Sequence, residues 1–148
     1  LKVRFGRHGA VARIVNAIRD ALRAQQAVVV VGYSNGFNFS LKALRLVSGG
    51  GVRLAGVHPA APARFEVPDI VRRCWIAYTR SDWAVRAASY VGWLIPGWGR
   101  LGAIGYKGTD PRVTDTDYSD VAAGHGGLWR GEALRTLADD LCKFAEAP

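Results

Sequence analysis

Methionine is absent from the 148 residues, cysteine occurs twice, and the 12 acidic side chains are outnumbered by 20 basic ones. A translated reading frame normally opens with Met, so Leu1 is not expected to be the original start. No apolar run approaches the ~20 residues of a membrane-spanning helix. The longest candidate, residues 90–98, is interrupted by Gly92, Pro96 and Gly97. The first residues are basic but lack the apolar stretch of a secretory signal, so a soluble, cytoplasmic protein is expected. Cys74 and Cys142 have no C-x-x-C neighbour, which excludes a zinc ribbon or a thioredoxin motif. Both are expected as buried free thiols, with a disulfide between them left open. Neither a metal ion nor an organic cofactor is expected.

What remains is the composition of a globular chain. Hydrophobic residues make up 49% and charged ones 22%, which rules out disorder on composition. The length fits one domain over residues 1–148, and such a domain buries about two-thirds of its unfolded surface without covalent staples. The net charge of +8 is unevenly spread. Residues 1–109 hold 16 basic and 4 acidic groups, and residues 110–148 hold 4 and 8. The basic groups are mostly scattered arginines, with Arg72 and Arg73 the adjacent pair. There is no basic arm, finger spacing or RNP-like motif, so no specific nucleic-acid motif is read.

Val11, Ile14, Val15, Ile18 and Leu22 form a helical stripe and predict a helix over residues 10–24. The valine-rich run at 27–31 predicts a strand buried on both faces. Further along, the pattern predicts a helix at 37–48, strands at 52–57 and 74–78, a loop at 60–67 and a helix at 84–91. Residues 83–106 otherwise read as a Gly-rich aromatic loop, and 110–120 as an acidic polar stretch. Leu134, Leu137, Leu141 and Phe144 predict a closing helix within 128–147. Alternating helices and apolar strands predict an α/β fold, a mostly parallel sheet flanked by helices.

The most specific feature is Gly32-Tyr33-Ser34-Asn35-Gly36, set between a predicted strand and a predicted helix. A G-x-S-x-G pattern in that context is what a nucleophile elbow requires. Gly32 and Gly36 are expected to let strand and helix approach closely, and the Asn35 N–H is expected to hold an oxyanion. A serine needs a base, and the base an orienting carboxylate. Asp82 follows the third predicted strand, and His125 sits in a glycine-rich loop before the last helix. Asp110, Asp115, Asp117 and Asp120 are the alternative acids. His8 and His58 break the Ser–acid–His order. His58, at a strand end, is a candidate for the pocket or a satisfied structural histidine.

On the elbow, the strand-then-Asp82 loop and the late His125, the sequence resembles the α/β-hydrolase superfamily, in its esterase, lipase and thioesterase branch. The resemblance runs from about Val11 to Phe144. It implies a serine hydrolase with Ser34 as nucleophile, Asp82 as acid and His125 as base, acting on a small-molecule carboxylic ester or thioester. In that family several strands usually precede the elbow, and a loop among them gives a second oxyanion donor. Few residues precede Val28, so the chain is expected to be a C-terminal portion of the fold, or a reduced form, with an exposed sheet edge. Tyr33, His58, Trp83 and Trp93 are the candidate pocket residues. The 83–106 segment is either a lid over an apolar acyl group or ordinary packing. The alternative to hydrolysis is a non-catalytic basic α/β module that binds an anionic partner such as nucleic acid or a phosphate ligand.

Overall fold

The computed structural model describes residues 4–91 and 97–147. Four strands, β1 (Val29–Tyr33), β2 (Val52–Val57), β3 (Val71–Tyr78) and β4 (Val113–Asp117), form one sheet in the order β1-β2-β3-β4. Every neighbouring pair is parallel. Helices α1 (Arg4–Arg23), α2 (Gly36–Leu44), α3 (Trp83–Val91), α4 (Leu101–Ile104) and α5 (Gly131–Glu146) flank it. The expected α/β fold is present. No helix among the described residues is long and apolar enough to cross a membrane.

Side-chain alternation along the strands builds two cores. Leu54, Cys74 and Ile76 face one side, where they join Val15 and Ile18 of α1 and Phe37, Leu41 and Leu44 of α2. Ala55, Val57, Trp75 and Ala77 face the other side and join Leu128 with Ala133 and Leu137 of α5. Successive residues of β2 and β3 therefore serve opposite cores, as a strand sandwiched between helical layers must. Leu54, Ile76 and Phe37 are fully buried, each worth about 1.5–3 kcal/mol relative to exposure.

Several expectations change. Helix α1 begins at Arg4, not residue 10, because the apolar stripe marks only the part that packs. Strand β1 is not buried on both faces: it lies at the sheet edge, with Val31 44% exposed. A valine run reports β propensity, whereas burial depends on neighbours the run does not encode. Helix α2 stops at Leu44, and the short α4 lies inside the expected aromatic loop. The acidic stretch 110–120 contains β4, an unforeseen strand, whose residues Val113 to Asp117 pair with Cys74 to Tyr78 of β3. As an edge strand with half-exposed side chains it has no apolar run to announce it. Both cysteines are free, but Cys142 is exposed on α5 and not buried.

Candidate active site

The four strands deliver four residues to one end of the sheet. Ser34 follows β1, His58 follows β2, Asp82 follows the turn after β3, and His125 lies in the loop after β4. In parallel sheets the carboxyl ends of strands are where sites are built.

Ser34 sits in the turn between β1 and α2 with φ of +50°. A non-glycine residue in this left-handed region costs roughly 1–3 kcal/mol. Three backbone hydrogen bonds hold it there. The Ser34 N–H donates to Val57 O at 3.1 Å, while the Ser34 carbonyl accepts from Phe37 N at 3.3 Å and Ala60 N at 3.1 Å. Gly32 is sterically required: a Cβ there would lie 2.5 Å from the Phe37 Cα. Gly36, expected to have the same role, does not: a Cβ there meets nothing within 4 Å. The second close approach belongs to Gly56 on β2, whose Cβ would meet the Phe37 ring at 2.8 Å. Phe37 thus lies over β1 and β2 at two glycines, one of which the motif does not contain.

Asn35 is the residue before α2, and its Oδ1 accepts from Asn38 Nδ2 at 3.0 Å. Among the described residues nothing accepts the Asn35 N–H in a hydrogen bond, which leaves it free for an anion. The Ser34 hydroxyl likewise makes no hydrogen bond among the described residues, to His125 or to any other group, and Ser34 is partly exposed.

Asp82 is fully buried. It caps α3, with Oδ1 accepting the Val85 N–H at 2.9 Å. Its Oδ2 lies 2.8 Å from His125 Nδ1 and 2.7 Å from His58 Nδ1. Burial by itself pushes this carboxyl up. The His58 and His125 contacts and the Val85 amide outweigh burial and hold Asp82 below its ordinary value. The alternative acids are engaged elsewhere: Asp110 with Arg112, Asp115 with the Tyr106 N–H, and Asp117 with Arg80 and Ser119. Asp120 is exposed.

His125 is fixed from three sides. Its Nδ1 meets Asp82, the preceding Gly124 N–H donates to Ser81 Oγ at 3.1 Å, and its carbonyl accepts from the Tyr33 hydroxyl at 2.9 Å. Gly124 permits the turn with φ of +69°. Burial first, and the Asp82 charge second, push the Tyr33 phenol up, so it remains a donor at neutral pH. The Tyr33 and His125 rings lie 5.0 Å apart, with Trp129 edge-on to Tyr33 at 5.4 Å. Trp83 (70% exposed), Gly124, His125, Gly127 and Arg130 line a shallow groove. Ser34 is not in its lining.

Of the two expected readings for His58, the structure fits the structural histidine and not the pocket wall: it is fully buried and hydrogen-bonded to Asp82. The identity of that partner carries no sequence signal, because it lies 24 residues away and across a strand. Trp93 lies outside the described residues. His58, Asp82 and His125 also bring potential metal-ligand atoms within 4.8 Å of one another. Both imidazole nitrogens, however, lie at hydrogen-bond distance from one carboxylate oxygen, which is donor–acceptor spacing. The chain matches no family model, no curated protein and no solved structure.

Proposed function

We propose that this protein is a serine hydrolase of the α/β-hydrolase type that cleaves carboxylic esters or thioesters through an acyl-enzyme. The observation that carries the reading is the His125 Nδ1 to Asp82 Oδ2 contact of 2.8 Å, made at the same end of the sheet as a serine in a strained strand–helix turn. Asp82 accepts the Nδ1 proton, so the unprotonated Nε2 is the base. Ser34 Oγ attacks the carbonyl carbon and its proton passes to Nε2. The oxyanion that forms is met by the Asn35 N–H at the start of α2. Collapse expels the alcohol or thiol, which takes the proton from Nε2. Water, deprotonated by the same nitrogen, then attacks the acyl group and restores Ser34. Approach of Oγ to Nε2 belongs to the substrate-bound state, since such bonds are often long without substrate. The exposed Trp83, which lines the groove with His125, and the half-exposed Trp129 against Tyr33 favour an apolar acyl group.

Hydrolysis of a short-chain aryl ester by the parent, Ser34→Ala and His125→Ala tests this. Both variants are expected to lose turnover while keeping the parent's circular dichroism. Undiminished turnover in either variant would overturn the assignment.

A further inference from the structure

We propose that His58 is a positioning residue for the hydrolytic site, fixing the Asp82 carboxylate so that His125 is aimed at Ser34; this rests on the hydrolase reading above. Asp82 Oδ2 is shared between two imidazoles, with His58 Nδ1 at 2.7 Å and His125 Nδ1 at 2.8 Å. Its Oδ1 is taken by the Val85 N–H at 2.9 Å. With the His58 and Val85 bonds in place the carboxylate cannot turn about its Cβ–Cγ bond, and the lone pair left on Oδ2 points at His125. His58 cannot act on substrate, because it is fully buried.

The backbone that carries the ring is held in place. His58 has φ of +45°, its N–H donates to Ala77 O at 2.9 Å, and the backbone of Gly102 packs on it so closely that a Cβ there would lie 2.6 Å from the His58 carbonyl carbon. His58 Nε2 is buried with no hydrogen-bond partner among the described residues. A carboxylate can only accept, so the 2.7 Å contact with Asp82 Oδ2 places a proton on His58 Nδ1. The β2 strand end thus occupies the gap between the serine of β1 and the acid after β3 with a hydrogen-bond donor.

The test uses His58→Leu, which fills the space without a donor, and His58→Asn, whose Nδ2 stands where Nδ1 stood. His58→Leu is expected to lower kcat for the aryl ester about 10- to 100-fold, the scale seen when a metal-ligating histidine loses its hydrogen-bond partner, with KM unchanged. His58→Asn is expected to restore most of kcat. A merely structural role predicts instead that the two variants lose activity alike, or that loss tracks folded fraction, and either result overturns the proposal. A second measurement is independent of turnover. Proton NMR of the parent is expected to show two low-field imidazole N–H resonances, one from His58 and one from His125. Absence of the His58 resonance, identified by its loss in His58→Leu, overturns the proposal even if the ester is hydrolysed. Two resonances with no hydrolysis would overturn the hydrolase reading and leave His58 as the anchor of Asp82.

Discussion

Asp82→Asn changes almost no volume and removes one charge from the point where three elements meet. The carboxylate accepts from the Val85 N–H on Oδ1 and lies within hydrogen-bond distance of His58 and His125 on Oδ2. An amide has one acceptor atom and one donor atom. Turned one way, its NH2 faces the Val85 N–H; turned the other, it faces two imidazole donors. Leaving a buried N–H without its acceptor costs about 1–3 kcal/mol. At about 2–4 °C per kcal/mol for a domain of this size, that is a fall of roughly 2–12 °C in Tm. The pH dependence follows from the lowered value of Asp82. Such a group stabilises fully above its unfolded value of about 4, and its contribution is lost as pH falls through the folded value. Urea denaturation of parent and variant from pH 7 to pH 2.5 should therefore show a gap that is constant above about pH 5 and closes at the acid end. A gap below about 1 kcal/mol at pH 7, or one that does not narrow in acid, would refute the reasoning. In the same variant the orientation of His125 is lost, and ester turnover should fall on the order of 10³–10⁴-fold.

Gly32→Ala places a Cβ 2.5 Å from the Phe37 Cα and 2.8 Å from its N, contacts that no rotamer can relieve; denaturation should show a loss of about 1–3 kcal/mol or more, whereas Gly36→Ala, with open space, should stay within about 1 kcal/mol. The two thiols should differ in reactivity. Burial, and then the Asp110 charge, push Cys74 up to about 12, while Cys142 is exposed, so an Ellman titration should count one thiol in the native protein and two in denaturant; two fast thiols in the native state would contradict the fold.

The fold was legible where residues repeat with a period and illegible where a contact is needed to define the element. The stripe from Val11 to Leu22 and that from Leu134 to Phe144 mark α1 and α5, and the apolar runs mark β2 and β3. Strand β4 is hidden because Thr114 and Asp115 face solvent at an edge, so the β pattern carries no apolar half. At the site, local chemistry identified Ser34 by its strand–turn–helix frame and Gly32 by its close approach. The Asp82–His125 pairing followed from chain order and from there being three histidines to choose among. What the sequence concealed is long-range. Gly56 supports Phe37 from another strand, and His58 reaches Asp82 from the neighbouring strand end. Neither residue has a local pattern that requires its partner.

A fluorophosphonate probe reads the central claim without knowledge of the substrate, because it phosphonylates a serine only when a base activates it. Intact-mass analysis and peptide mapping of the folded protein should find one adduct, on Ser34, with labelling greatly slowed in His125→Ala. An unlabelled folded protein, or an adduct on Ser40, Ser48, Ser81, Ser89 or Ser119 in place of Ser34, would contradict it.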